Sequence, residues 1–298
     1  MKKIAYLVLA HNDSEHLSKL IKTLDHNSDF YIHIDKKSDI SEFQKVINKK
    51  NAYFIKDRTD ISWAGITMVD ALMDLMKAAI AKSELYSHTV LITGSCYPIK
   101  NTKYIHEYFT LNPNKEFIDF IDMRDSPEHY MKLISQKWFK DPIFYFNNSF
   151  FKKIEKGMRF LMNKLKLKNS WDESITPYMG HTWCALTMDC CKYVHEYHIN
   201  NPSFREINRF TFAPDEHYIH TIVGNSPFKE NAIGSSEFKG RGLYKYTSIY
   251  LIDKSLQKWY DLNDWDEIAN SDKLFVRKIN SKTGKELVSK INNELLLS

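Results

Sequence analysis

The first hundred residues alternate short apolar runs with longer stretches in which apolar residues recur every three or four positions. The apolar runs predict buried strands over 4–10, 30–35, 52–55 and 89–93. The amphipathic stretches predict helices over 14–24 and 66–81. Strands and helices that alternate in this way are typical of a parallel sheet covered by helices, so the sequence predicts an α/β fold with a mostly parallel central sheet.

The same patterns continue in the second half of the chain. They predict a strand over 182–188, a helix from Asp189, and a helix that Pro214 opens and that runs to about Val223, because proline is pre-organised for the first helical turn. No stretch rich in Gly, Ser or Pro resembles a linker, and no segment repeats. A single domain over 1–298 is therefore expected.

Composition narrows the class of protein. The chain has 43% apolar and 27% charged residues, which suits a soluble globular protein, and no apolar run approaches the ~20 residues that a membrane helix needs. Its four cysteines are too few for a disulfide scaffold and have no zinc-site spacing. A cytoplasmic location is therefore expected.

The net charge of +5 is concentrated in one segment. Residues 150–168 hold seven Lys or Arg and one Glu on a pattern that predicts an amphipathic helix. Such a helix either makes peripheral contact with the inner face of a membrane or docks on the domain with a solvated basic face. Because charge outside this segment is nearly balanced, nucleic-acid binding is not expected.

The phrase LITGSCYPIK at 91–100 predicts a strand that ends at Gly94, on the edge where open α/β sheets bind ligands. Around it stand, in order, YLVLAHND (6–13), FYIHIDKKSD (30–39), SWAGITMVDA (62–71), GHTWCALT (180–187), APDEHYIHTIVGNSPF (213–228) and LFVRKIN (274–280). Over residues 3 to about 280, these phrases resemble the core-2/I-branching family of glycosyltransferases.

The resemblance implies a GT-A-like fold, a UDP-sugar donor, inversion at the anomeric carbon and catalysis without a metal or other cofactor. It implies a donor-binding half over about 1–125 and an acceptor-binding and catalytic half over about 126–298. N-acetylglucosamine or xylose is the expected sugar, and a glycan or lipid-linked oligosaccharide is the expected acceptor. The expected pathway is the synthesis of a bacterial surface polysaccharide.

The family pattern also implies roles for individual residues. The general base falls on Glu216. Donor contacts fall on Ala10, His11, Asp35, Ser62, Trp63, Gly65, Lys245 and Lys278, with Lys278 and Lys245 at the diphosphate. Sugar or acceptor contacts fall on Gly94, Ser95, Tyr97, Trp183 and Asp215. Where the family commonly has Asp, this chain has Cys96, so one carboxylate is missing from the expected site.

Elementary chemistry requires the same groups. Inverting transfer needs one base for the acceptor hydroxyl and cations for the leaving diphosphate. Taken alone, Glu216 would lie in the first turn of a helix, where the helix dipole lowers a carboxyl pKa, and a partly apolar pocket would have to raise that pKa. Taken alone, Arg277 and Lys278 would be a solvated pair, and only the family pattern selects Lys278.

Two other functions stay open. The segment Asp264-Trp265-Asp266 matches the Asp-x-Asp metal motif of other GT-A enzymes, although its polar surroundings favour an exposed turn. A metal-dependent glycosyltransferase that uses Asp264 and Asp266 is the first alternative. A non-catalytic module that binds a glycan or a membrane is the second.

Overall fold

The computed structural model describes residues 2–141, 149–165, 167–235 and 237–297. The strands are β1 (Lys3–Ala10), β2 (Ser28–Ile34), β3 (Ala52–Phe54), β4 (Tyr86–Thr93), β5 (Cys96–Pro98), β6 (Glu116–Asp122), β7 (Tyr178–Gly180), β8 (Ala185–Thr187), β9 (Ala232–Ser235), β10 (Tyr250–Ile252) and β11 (Phe275–Arg277). The α-helices are α1 (Ser14–Thr23), α2 (Ile40–Val46), α3 (Thr67–Ile80), α4 (Thr102–Leu111), α5 (Lys132–Ser135), α6 (Ser149–Lys164), α7 (Met188–Asn200), α8 (Pro202–Asn208), α9 (Tyr218–Gly224), α10 (Trp265–Ala269) and α11 (Lys285–Glu294).

The central sheet has the strand order β3-β2-β1-β4-β8-β6-β7, and β9 pairs with β6. Strands β3, β2, β1 and β4 run parallel. The sheet then continues through β8, β6 and β7, each of which is antiparallel to the strand before it. Strands β1, β2 and β4 are almost wholly buried because helices cover both faces of this part of the sheet. The predicted α/β fold with a mostly parallel sheet flanked by helices is confirmed.

The register of the parallel strands aligns their carboxyl ends. Ala10 of β1 lies beside Ile34 of β2, and Leu9 lies beside Thr93 of β4. The loops that follow these three strands therefore leave the sheet at one edge, which is where ligands bind in open α/β sheets.

A second, smaller sheet returns the end of the chain to this edge. Its order is β10-β11-β5, and β11 pairs antiparallel with β5, so that Arg277 lies opposite Cys96. Residues from both predicted halves of the chain, before and after residue 125, therefore meet at the carboxyl end of β4.

Two predicted helices differ in their bounds. Pro214 opens a single 3-10 turn over Pro214–Glu216, and the α-helix begins only at Tyr218, because His217 leaves the helical region with φ −140°. The basic helix ends at Lys164 rather than at 168, and Lys166 lies outside the described residues. In the described ranges, no helix has both the length and the apolar character needed to cross a membrane.

Candidate active site

A pocket of about 350 Å³ opens where β1, β2 and β4 end. The lining comes from the strand ends, the loop after β3, Trp183 just before β8, and the end of β11. The lining residues are Leu9, Ala10, His11, Asn12, Asp35, Ile61, Trp63, Met68, Thr93, Gly94, Ser95, Trp183, Trp259, Arg277 and Lys278.

The pocket brings together most of the residues that the sequence selected. Eight of them line it: Ala10, His11, Asp35, Trp63, Gly94, Ser95, Trp183 and Lys278. The lining does not include Ser62, Gly65, Tyr97, Lys245, Asp215 or Glu216. Sequence reasoning gave no role to Arg277 or Trp259, which the structure places in the pocket wall.

Backbone hydrogen bonds hold the floor of the pocket. The Asp35 amide donates to the Ala10 carbonyl at 2.9 Å, and the Gly94 amide donates to the Leu9 carbonyl at the same distance. A Cβ atom on Gly94 would lie 2.9 Å from the Cβ of Ala10, closer than side chains tolerate. Glycine at this position therefore lets the two strand ends approach and leaves room for a ligand.

Two cations form one wall of the pocket. The Arg277 guanidinium lies 5.0 Å from the centre of the Trp183 ring, and its Nε donates to Thr93 Oγ1 at 3.3 Å. The Lys278 ammonium lies 5.9 Å from the Trp259 ring. Burial lowers the pKa of both groups, and the Arg277 charge lowers that of Lys278 further. Within the described ranges, no carboxylate forms an ion pair with either cation.

Both cations are half-buried, and the Asp215 charge acts on Arg277 without forming an ion pair with it, so part of the cost of burying positive charge at this wall remains. An anionic ligand at this wall would offset that cost, since the flat guanidinium fork and the ammonium both suit phosphate oxygens. The signal that could have identified Arg277 is its position opposite Cys96, but that pairing depends on two three-residue strands that are too short to predict.

Cys96 does not replace the missing carboxylate. Its thiol is buried, accepts a hydrogen bond from the Thr93 amide at 3.4 Å and contacts Thr93 Oγ1 at 3.2 Å. Burial raises the pKa of this thiol, so Cys96 is neutral and cannot balance the charge of Arg277.

The carboxylates of Asp215 and Glu216 lie in the 3-10 turn before α9. Thr182 Oγ1 donates to Asp215 Oδ2 at 2.9 Å, whereas no described residue donates a hydrogen bond to the Glu216 carboxylate. Burial raises the pKa of both groups, and the neighbouring Asp215 charge raises the Glu216 pKa further, to well above its ordinary value. The lowering by a helix dipole that was expected from sequence is therefore wrong, because the α-helix starts after Glu216.

The loop over residues 62–65 is fixed to the turn that carries Glu216. The Ala213 amide donates to the Ala64 carbonyl at 3.1 Å, and both alanines have left-handed backbone angles, with φ 51° and 60°. A Cβ atom on Gly65 would lie 3.0 Å from the Lys140 carbonyl oxygen, so this glycine permits close packing. Only Trp63 of this loop reaches the pocket.

Tyr97 and Lys245 lie elsewhere. Because side chains alternate along a strand, Tyr97 points away from its neighbour Cys96, and its hydroxyl contacts Thr23 at 2.9 Å and donates to Asn292 at 2.9 Å. Tyr97 lines a different cavity, of about 410 Å³, between α1 and α11. The Lys245 ammonium donates to the Lys239 carbonyl at 2.7 Å.

The Asp-x-Asp segment lies outside the pocket lining. Asp264 forms an ion pair with Lys258 at 2.6 Å and accepts a hydrogen bond from the Asp261 amide at 3.0 Å. Asp264 and Asp266 flank the start of the short helix α10, where carboxylates complement the helix dipole.

Comparison with known proteins identifies the family of this chain. Residues 4–239 match the sequence profile of the family described as Core-2/I-Branching enzyme. A human protein named probable beta-1,3-galactosyl-O-glycosyl-glycoprotein beta-1,6-N-acetylglucosaminyltransferase 7 is 20% identical over 225 residues, which cover 74% of this chain and 49% of the human protein. The matched region thus spans about half the length of that relative.

Proposed function

This chain belongs to the core-2/I-branching enzyme family of glycosyltransferases, and from that premise we propose that it transfers a sugar from a UDP-sugar to a glycan hydroxyl, with inversion and without a metal. One observation carries the proposal. The pocket at the strand ends has two cations that form no ion pair among the described residues, and a half-buried carboxylate pair lies in the turn that is bonded to its Trp63 loop. This is the set of charges that inverting transfer needs.

In the proposed reaction, the uridine lies at Ala10, His11 and Asp35, and the diphosphate faces Lys278 and Arg277. The acceptor oxygen attacks the anomeric carbon as the bond from that carbon to the diphosphate oxygen breaks. Glu216 takes the proton of the attacking hydroxyl, and the UDP anion leaves toward the two cations. Asp215, which is held by Thr182, positions the neighbouring turn.

We also propose which sugar the donor carries and in which pathway the enzyme acts. N-acetylglucosamine is the first sugar to test, because the human relative is named as an N-acetylglucosaminyltransferase, and xylose is the second, from the family resemblance. The acceptor is proposed to be a lipid-linked oligosaccharide of a bacterial surface polysaccharide, used in the cytoplasm at the inner face of the membrane.

Calorimetry with UDP tests the donor site directly. We expect one binding site, and we expect UDP at a hundred times its Kd to raise the free energy of unfolding by about 2.7 kcal/mol. Thermal unfolding with UDP-N-acetylglucosamine, UDP-xylose and UDP-glucose then ranks the sugars. If UDP gives neither heat nor stabilisation, the non-catalytic module becomes the better interpretation.

The same preparation tests metal independence. Donor hydrolysis and transfer are expected to continue unchanged in EDTA, because the cations supply the charge that a metal ion supplies in other GT-A enzymes. Loss of activity in EDTA with recovery on Mn²⁺ would favour the alternative that uses Asp264 and Asp266.

The surface of α6 supports the proposed membrane contact. Several apolar residues of α6 and of the residues that follow it are exposed, and Phe160 is 70% accessible. The other exposed apolar residues of this segment are Ile154, Met158, Leu161, Leu165 and Leu167. Exposed lysines lie beside them at 153, 156 and 164. An apolar stripe bordered by lysines suits a bilayer that carries anionic lipids.

Vesicle flotation tests this contact. We expect the protein to bind vesicles with 30% anionic phosphatidylglycerol and not vesicles of phosphatidylcholine alone, and we expect each of Lys153→Gln, Lys156→Gln and Lys164→Gln to weaken binding ~5-fold. A control with Lys45→Gln, Lys103→Gln and Lys254→Gln removes three other exposed lysines. Equal loss in the control and the α6 variants, or equal binding to both vesicles, would refute the contact.

A further inference from the structure

A row of aromatic rings leads out of the pocket to the chain segment that precedes Glu216. Trp63 lines the pocket and is 66% accessible. Its ring centre lies 5.6 Å from that of Phe212, which in turn lies 4.7 Å from that of Trp138. We call Trp63, Phe212 and Trp138 the aromatic ridge.

The backbone holds this ridge in place. The Phe212 amide donates to the Leu133 carbonyl at 2.9 Å, the Trp138 amide donates to the Phe210 carbonyl at 2.8 Å, and the Ala213–Ala64 hydrogen bond joins the loop of Trp63 to the segment of Phe212. Phe212 lies four residues before Glu216 on the same segment. The ridge therefore has a fixed position relative to the proposed base.

Two cations lie against the ridge. The Lys140 ammonium lies 5.8 Å from the centre of the Phe212 ring and 6.0 Å from that of Trp138. The Arg159 guanidinium of α6 lies 4.0 Å from the centre of the Trp138 ring. This contact fixes α6 to the far end of the ridge, and it adds a cation–π attraction that is strongest where water is excluded. A ligand that extends along the ridge from Glu216 would reach this guanidinium.

Trp63 is exposed, and the half-buried rings of Phe212 and Trp138 continue from it, so the ridge is an accessible apolar surface of the kind that marks a binding site. Tryptophan rings pair an apolar face with a polar edge, which matches a sugar ring with its C–H face and its rim of hydroxyls. The uridine is proposed to lie at the opposite end of the pocket, at Ala10 and Asp35, so the ridge is free for the other substrate.

We propose that the aromatic ridge is an acceptor subsite that binds an acidic glycan longer than one sugar ring, with Arg159 pairing with an acidic group of that glycan. The proposal rests on the proposed transferase function, since it assigns the ridge to the acceptor of that reaction. The acceptor hydroxyl lies at Glu216, and the following sugar rings stack along Phe212 and Trp138. Phe212 and Trp138 are then residues that determine the preferred acceptor length.

Calorimetry in saturating UDP tests the subsite with two series of probes, hyaluronan oligosaccharides of two to six sugars as acidic glycans and chitin oligosaccharides of the same lengths as neutral glycans. We expect affinity to rise with length in the acidic series. Trp138→Ala and Phe212→Ala are expected to weaken the longer acidic probes about tenfold and to leave the shortest probe and the Kd for UDP unchanged.

Further variants separate a subsite from a merely structural role. Trp138→Phe keeps an aromatic face and should retain the length dependence, whereas Arg159→Gln should reduce the preference for acidic probes, with Lys140 still beside the rings. Tyr104→Ala removes an exposed ring of a stacked pair on α4 and should change nothing. Affinities that do not depend on length, or that are the same in wild type and Trp138→Ala, would overturn the subsite, and so would a preference for the neutral series. Absence of UDP binding would refute the proposed function itself.

Discussion

A Glu216→Gln protein is expected to lose transfer activity by about 10²–10⁴-fold, the usual contribution of a general base, while its affinity for UDP stays the same. Glutamine keeps the size of glutamate but cannot take the proton of the acceptor hydroxyl. The comparison of kcat with the calorimetric Kd for UDP checks this result. Glu230→Gln, which changes an exposed carboxylate in the turn after α9, is the matched control and should leave kcat unchanged.

The same variant is expected to be more stable than wild type at neutral pH. Burial and Asp215 raise the folded-state pKa of Glu216 above its ordinary value of 4.5, so the folded state favours the protonated form. The stability that this preference provides is full below pH 4.5 and is lost as pH rises through the folded-state pKa. Glutamine is neutral throughout, so this loss is absent from the variant.

Thermal unfolding between pH 4 and pH 9 measures this difference. The melting temperature of Glu216→Gln should exceed that of wild type increasingly as pH rises, by about 2–4 °C for each kcal/mol gained. Wild-type kcat should rise over the same range, because the base must be ionised to act. A variant that keeps kcat within a few-fold of wild type, or that is less stable than wild type at every pH, contradicts the assignment of Glu216.

The parallel half of the fold could be predicted from the sequence because strands buried on both faces are continuous apolar runs. The strand ends then placed Ala10, His11, Asp35 and Gly94 together, since parallel strands end at one edge. Strands β5, β10 and β11 have three residues each, too few to show a period, so the second sheet and the return of Arg277 to the pocket could not be predicted.

Two side-chain environments also depended on tertiary structure. Tyr97 follows Cys96 in the motif, and strand alternation turns its ring away from Cys96 toward Asn292 and outside the pocket. The Glu216 pKa depends on burial by segments that are distant in sequence, whereas the sequence signal, a proline before two acidic residues, described a helix start that is a single 3-10 turn in the structure. The family resemblance therefore selected Glu216 as the proposed base, whereas the local pattern taken alone gave the wrong direction for its pKa.

Arg277→Met is expected to weaken UDP binding and to lower kcat/KM for transfer by about 10²-fold or more, the loss typical of removing one donor that stabilises developing charge. Arg277→Lys keeps the charge but loses the flat fork that can hold two phosphate oxygens, so it should recover only part of the activity. Lys278→Met is expected to behave like Arg277→Met, because both cations face the leaving diphosphate in the proposed reaction.

The melting temperature of Arg277→Met, measured with and without UDP, distinguishes diphosphate binding by Arg277 from a structural role. Arg277 is half-buried and forms no ion pair among the described residues, although the Asp215 charge acts on it, so its replacement by methionine should leave the ligand-free melting temperature nearly unchanged. The stabilisation that UDP gives to wild type should shrink in Arg277→Met and stay intact in Lys103→Met, which removes an exposed cation on α4. A lower melting temperature without UDP, together with unchanged stabilisation by UDP, would mean that Arg277 supports the pocket wall and does not bind the diphosphate.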